Sequence, residues 1–190
     1  MAKRIVKKAK SKAKTKTKTK AAKKPVKTAK VKAKSYKGLK VGDRVGPLSA
    51  PATGGQPFDL KDFAGKNVVL YFYPKDDTPG CTLEGHDFTK LKPQFESHST
   101  VVFGISKDTL ESHNKFKEKQ CYSVDLISDE DGKICKAFDV IQDKNMYGKI
   151  YKGIERSTFV IDASGTLRGE WRKVSVPGHA EAVLEFVRGL

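Results

Sequence analysis

The stretch Tyr73–Glu84, YPKDDTPGCTLE, places one of the chain's three cysteines behind a turn-forming run, beside charged and hydroxyl side chains. Cys81 has three readings: a reactive thiol, a metal ligand, or a small inert residue near a helix start. Free cysteine is commonly a small buried hydrophobe, and Cys121 and Cys135, set among apolar helical positions, suit that description. Cys81 does not. It follows Thr78-Pro79-Gly80 at the carboxyl end of a predicted strand and opens a predicted helix. Unpaired backbone N–H groups there point toward the sulfur and stabilise the thiolate, its nucleophilic form. The carboxyl ends of strands are also where α/β sheets gather their sites. Thr78 brings a hydroxyl able to hydrogen-bond a thiolate or an incoming oxygen. Pro74 can shield the pocket and hold the turn without offering a competing donor. A fixed positive charge is still missing, and arginine supplies it best because it stays protonated.

Rival chemistries fit less well. Cys81 and His86 give two ligands where a tetrahedral zinc site takes four, with no CxxC or HxxxH in company, so no metal is expected. A thioredoxin-type disulfide reductase needs a second cysteine at Cys-x-x-Cys spacing, and that position holds Glu84. Glycine-rich phosphate loops are absent, and no cofactor is expected. His98, His113 and His179 read as surface or helix-end residues.

The elements that must position Cys81 are legible from periodicity. NVVLYFY (67–73) is a near-continuous β-branched and aromatic run, as in a strand covered on both faces. Residues 81–95 place Leu83, Phe88, Leu91 and Phe95 at helical spacings, with Pro93 late enough to kink the helix. Further strands are predicted over 99–106 and 124–129, helices over 109–122 and 131–140, and a short strand-like piece in PFDLKDF before Gly65. Residues 157–174 read as a hairpin about Ala163-Ser164-Gly165, and 179–190 as a closing helix. Strand–helix alternation followed by a hairpin and a terminal helix predicts an α/β domain with a mixed central sheet flanked by helices, in the order of a thioredoxin-like fold.

The formal charge of +16 suggests a nucleic-acid binder until its distribution is read. Residues 1–40 hold 18 Lys/Arg and no acid, leaving 20 basic against 22 acidic groups in the remainder. The excess belongs to a segment built almost wholly from Lys, Ala, Thr, Val, Ser and Pro. Without aromatic residues or apolar periodicity it cannot bury enough surface to offset its ordering entropy. Residues 1–36 are therefore expected to be disordered, and 37–190 to form the folded domain. Lys7, Lys8, Lys10, Lys12, Lys14, Lys16, Lys18, Lys20, Lys23 and Lys24 are expected to supply diffuse, salt-sensitive contact to DNA or RNA phosphates, without base readout. A solubilising tail and a nuclear address are the plainer alternatives. An apolar signal region, an Arg-rich presequence and a membrane-length apolar run are all lacking. The odd cysteine count does not suggest a secreted disulfide scaffold. An intracellular, reducing compartment is expected: cytoplasm and nucleoid in a bacterium, nucleus in a eukaryote.

The pattern Pro74-x3-Thr78-x2-Cys81 resembles the peroxiredoxin active site, and YFYPKDDTPGCTLE looks like the bacterioferritin comigratory protein or peroxiredoxin Q subfamily. The likeness continues through LISDEDGKICKAFDV and GIERSTFVIDASG to the end of the chain. The basic tail resembles those of linker histones and histone-like nucleoid proteins. The peroxiredoxin resemblance implies a thioredoxin fold and thiol-dependent reduction of hydrogen peroxide and organic hydroperoxides. It makes Cys81 the peroxidatic cysteine, with Pro74, Thr78 and Arg156 completing the site. Thioredoxin or a similar thiol reductant would be the partner, and the resemblance leans toward a monomer. Glu84, one turn into the helix, either orients Arg156 or is an ordinary exposed first-turn acid. The rival function is a non-enzymatic nucleic-acid-binding protein that uses the thioredoxin-like domain as a platform.

One departure bears on turnover. Many relatives carry a resolving cysteine five residues after the peroxidatic one, where this chain has His86; others resolve from the next helix at the position of Lys117. Cys121, an external thiol, and Cys135 remain as alternatives. A disulfide needs Cα atoms within about 7 Å, so either cysteine would require its helix to unwind.

Overall fold

The computed structural model describes residues 37–146 and 148–190. The lysine-rich segment, with its expected disorder and every lysine named above, lies outside the described residues.

The core is organised by one strand, β3 (Asn67–Phe72). Its side chains alternate with the period of two that any strand imposes, and both sets are apolar. Val68, Leu70 and Phe72 enter one cluster with Phe103, Ile105, Phe138 and Phe159. Val69 and Tyr71 enter a second with Phe88, Phe95, Leu126, Val160 and Val183, which Tyr73 joins from just beyond the strand end. Two clusters on opposite faces need two covering layers, and the chain supplies them.

β3 lies in a five-stranded sheet of order β5-β4-β3-β8-β9. It runs parallel to β4 (Thr100–Ser106), which runs parallel to β5 (Asp125–Ser128). On its other side β3 is antiparallel to β8 (Ser157–Ile161), which forms a hairpin with β9 (Leu167–Arg172). The helices α1 (Pro79–Ser97), α2 (Leu110–Gln120) and α4 (His179–Val187) bring Phe88, Leu91, Phe95, Phe116, Val183 and Val187 to the second cluster. The short α3 (Lys133–Ala137) closes the first with Ile134 and Cys135. The architecture is thus the thioredoxin-like α/β fold that the order of elements predicts. Pro93 lies inside α1 without ending it.

Two segments differ from the periodicity reading. PFDLKDF is only a two-residue strand, β2 (Phe58–Asp59), paired with β1 (Ser49–Ala50). It turns at once into a 3-10 helix, Leu60–Phe63, because the Asp59 carboxylate accepts from the Lys61 amide and caps that turn. Residues 141–154 form a hairpin, β6 (Ile141–Met146) with β7 (Lys149–Ile154), for which no signal was read. Among the described residues it pairs only with itself; Ile141 and Ile154 at its base reach the first cluster, while Ile150 and Tyr151 toward its tip are exposed.

Packing in the sheet is tight enough to test at Gly104 in β4. A Cβ there would lie 2.6 Å from the Tyr71 ring and 2.8 Å from Leu126 Cδ2. Gly104→Ala should lower unfolding stability by about 1–3 kcal/mol through overpacking, read as a reduced midpoint in urea denaturation. An unchanged midpoint would mean that Tyr71 moves aside freely.

Candidate active site

β3 ends at Phe72, and residues 73–78 carry the chain over the end of the sheet into α1. Helix α1 begins at Pro79, two residues before the cysteine, with Thr78 as its N-cap in extended conformation. Pro79 has a ring preset for the first helical position and no N–H to satisfy. The Thr78 carbonyl accepts from Thr82 N–H (2.8 Å), closing the first turn. The Thr78 hydroxyl makes no capping bond and instead donates to the Lys75 carbonyl at 3.2 Å. The amides of Gly80 and Cys81 are therefore N-terminal donors without intrahelical partners. Cys81 itself is 3% exposed. Pro74 lies at the exposed start of the loop, and Thr78 is half-buried.

The positive charge comes from the segment just before β8. Arg156 Nη2 donates to Cys81 Sγ at 3.2 Å, while Nη1 donates to the Glu84 carboxylate. Glu84 is 1% exposed, buried against the guanidinium rather than displayed on the first turn. Burial pushes its carboxyl up to about 7, although Arg156 pulls in the opposite direction. One cation thus meets two acidic groups from a single turn of α1.

The end of α2 docks beside that turn. His86 Nε2 lies 3.1 Å from Gln120 Oε1, and the Tyr122 hydroxyl donates to the Thr82 carbonyl at 2.9 Å. Gly85 makes the second contact feasible, because a Cβ there would fall 2.4 Å from Tyr122 Cζ. Cys121 sits between these two contacts, exposed, as the left-handed C-cap of α2 (φ 53°). Cys135 is fully buried in α3, and burial, reinforced by Asp129, pushes its thiol well up. Lys117, where some relatives would carry a resolving thiol, pairs with Asp125. The three cysteines are free.

The model of the AhpC/TSA family matches residues 41–169. The chain belongs to the AhpC/TSA family. Within it, the Bcp peroxiredoxins are its relatives. Peroxiredoxin Bcp of Xanthomonas campestris is 51% identical over 142 residues, covering 75% of this chain and 88% of that protein. Peroxiredoxin Bcp of Bacillus subtilis is 43% identical over 152 residues, covering 80% and 97%. Among solved structures, Xanthomonas campestris peroxiredoxin Q superposes with a TM-score of 0.72 at 48% identity, covering 75% of this chain and 90% of that one. A cysteine-to-serine mutant of Xylella fastidiosa PrxQ gives 0.76 at 43% identity, covering 80% and 96%.

Of the three histidines read as surface or helix-end residues, His113 departs from that reading. His113 is fully buried, held by Asp76, and so is corrected from surface to core. No local signal marks it, because its partner lies 37 residues away and on another element. His179 does start α4, as a helix-end residue, but it is 7% exposed, with Nε2 2.7 Å from the Thr158 hydroxyl. Burial, and then the Arg156 charge, pull its pKa down to about 4.

That shift fixes a pH dependence. Unfolded histidine takes up its proton near pH 6.5, whereas folded His179 does so near 4. Between those values the unfolded chain binds more protons, so the His179 contribution to stability is full above about pH 6.5 and is lost as pH falls toward 4. Glu84 works with the opposite sign, its contribution declining as pH rises from about 4.5 toward 7. Urea midpoints measured from pH 7 to pH 4 should fall less steeply for His179→Asn than for wild type. Equal slopes would show that His179 titrates alike in both states.

Proposed function

We propose that this thiol peroxidase works through Cys81 as the peroxidatic cysteine. The activity is that of the Bcp peroxiredoxins, and the observation supporting the residue assignment is the 3.2 Å contact from Arg156 Nη2 to a buried sulfur at a helix N-terminus. The Cys81 thiolate attacks one peroxide oxygen; an S–O bond forms as the O–O bond breaks. The leaving hydroxide or alkoxide takes a proton and departs as water or alcohol. Arg156 and the Gly80 and Cys81 amides meet the charge that develops on the leaving oxygen, joined by the Thr78 hydroxyl when it turns from the Lys75 carbonyl to the substrate. Glu84 holds the guanidinium in place, and Pro74 screens the loop. One of the related structures was solved in a study of alkyl peroxide reduction by the Xanthomonas campestris protein, and we extend hydrogen peroxide and organic hydroperoxides to this chain as substrates. The rival reading, a folded platform for nucleic acid, leaves the Cys81–Arg156–Glu84 contact without a role.

The Cys81 sulfenic acid is then attacked by the Cys121 thiol, with loss of water, and the resulting disulfide is reduced by thioredoxin or a similar dithiol. Cys121 is the exposed thiol, and its neighbours Gln120 and Tyr122 already touch the turn that carries Cys81. Cys135 is buried and its thiol is held protonated. The working unit is a monomer inside the cell, since the site is complete within one chain. The lysines of residues 1–36 hold it near nucleic acid through counterion release, in the nucleoid of a bacterium or the nucleus of a eukaryote.

Reductant-coupled peroxide consumption should be lost in Cys81→Ser, and peptide mapping of peroxide-treated wild type should return a Cys81–Cys121 link. Equal rates would sink the peroxidatic assignment; a Cys81–Cys135 link, or none, would sink the resolving one. Separately, removing residues 1–36 should abolish retention on DNA at low salt. Unchanged retention would remove the tail from the account.

A further inference from the structure

The loop that delivers Cys81 is held from behind by a buried polar cluster that the peroxide chemistry does not use. Its centre is Asp76, two residues before Thr78 and 6% exposed. The Asp76 carboxylate accepts from the Tyr73 hydroxyl at 2.8 Å and from the Ser112 hydroxyl at 2.7 Å, and its two oxygens lie 3.0 and 2.9 Å from His113 Nδ1. The Asp76 amide donates to Asp108 Oδ2 at 2.8 Å, and Asp108 in turn accepts from the Ser106 hydroxyl at 2.7 Å. His113 is fully buried, and its Nε2 donates to the Ile127 carbonyl of β5 at 3.2 Å. A ring nitrogen that faces a carbonyl must carry a proton to use it, so the imidazole spans from the main chain of β5 to the loop. Burial acts to raise the Asp76 carboxyl, but the bonds from His113, Ser112 and Tyr73 outweigh it and hold the group below the usual range.

The next residue shows why such a hold is needed. Asp77 adopts a left-handed conformation (φ 56°), which costs energy for a residue other than glycine and persists where its surroundings impose it. Its carboxylate pairs with Lys119, again on α2, at 2.6 Å. Consecutive residues of the loop are thus gripped by one helix, just before the segment that must aim a hydroxyl and a sulfur at one peroxide.

We propose that Asp76 and His113 are positioning residues for the peroxide reaction, setting the loop so that Thr78 and Cys81 Sγ converge on the peroxide. The proposal rests on Cys81 as the attacking thiol. Both residues act through the loop; neither touches the sulfur.

The test separates alignment from folding. Attack on a peroxide requires sulfur, hydroxyl, amides and guanidinium in register, whereas alkylation by iodoacetamide requires only a reachable thiolate. In the full-length chain, Asp76→Asn and His113→Gln should lower the rate of Cys81 oxidation by hydrogen peroxide by about 10–100-fold, the scale of an ångström-sized misplacement. The rate of Cys81 alkylation should stay within about threefold, because it carries no such alignment demand. A purely structural role would lower the melting temperature and leave the ratio of the two rates unchanged, and that outcome overturns the proposal. Ser112→Ala removes one half-buried donor to Asp76. It should shift the same ratio in the same direction by a smaller factor, so an unaltered ratio in this variant counts against the proposal even if the buried variants do not fold. A wild-type chain whose Cys81 is inert to peroxide would instead overturn the peroxidatic assignment, which keeps the two failures apart.

Discussion

The Arg156 guanidinium, shared between Cys81 Sγ and the Glu84 carboxylate, is the contact on which the site's arrangement depends. It joins residues 75 positions apart, and the sheet is what brings them together. In the antiparallel pairing of β3 with β8, Phe72 faces Ser157. Arg156 therefore leaves β8 at the point where β3 gives way to the loop, and it reaches α1 without any long excursion. A shift of that register by one residue would turn every side chain of β8 to the opposite face. The register is secured by apolar alternation: Phe159 and Ile161 belong to one cluster and Val160 to the other. The hydrophobic pattern of two strands thus sets the position of a charge.

Burial of that contact makes it selective. A guanidinium enclosed with two acidic groups cannot be fully paired with both in their ionised forms without leaving net negative charge in a poorly solvated place. Burial, with a smaller push from Asp87, raises the Glu84 carboxyl to about 7 against the pull of Arg156. Arginine suits the position because its planar fork offers separate N–H groups to sulfur and carboxylate, which a lysine's compact ammonium would not do in the same geometry.

The chemistry was legible where it was written into a short stretch. Thr78, Pro79 and Cys81 declare a helix start at a strand end, and the mixed sheet follows from apolar runs in NVVLYF, STVVFGIS and STFVID. Arg156 was reached through family resemblance, since nothing near it in the chain points at Cys81. The Asp76–His113 pair was not legible at all. In KDDTPGC the acid reads as one more surface charge, and a histidine in a polar helix reads as solvent-facing. Only the packing of α2 across the loop reveals that both are buried. The β6–β7 hairpin escaped for a different reason: Ile141 and Ile154 reach the core from its base, and the mostly exposed residues between them leave little trace in hydrophobic periodicity.

Helix α2 carries two demands that pull against each other. Its first turn, through Ser112 and His113, grips the loop, whereas its last residues lead to Cys121, which the proposed resolution step must bring to Cys81. The buried residues of α2 are His113 and Phe116. Beyond Phe116 the helix itself is held by polar contacts, Lys117 to Asp125, Lys119 to Asp77 and Gln120 to His86, while just past its end the Tyr122 ring is buried in the second cluster against Phe116 and its hydroxyl donates to the Thr82 carbonyl. Exposed ion pairs contribute little to stability, so the turn between Phe116 and Tyr122 is the weaker part of α2, anchored at its end by the buried Tyr122 ring. Unwinding from Cys121 back toward Lys117 would free the thiol while leaving His113 on Asp76. The proposed resolution step would therefore draw on the last turn of α2, against the packing of Tyr122, while the first turn keeps its hold on the loop in which the next peroxide must be met.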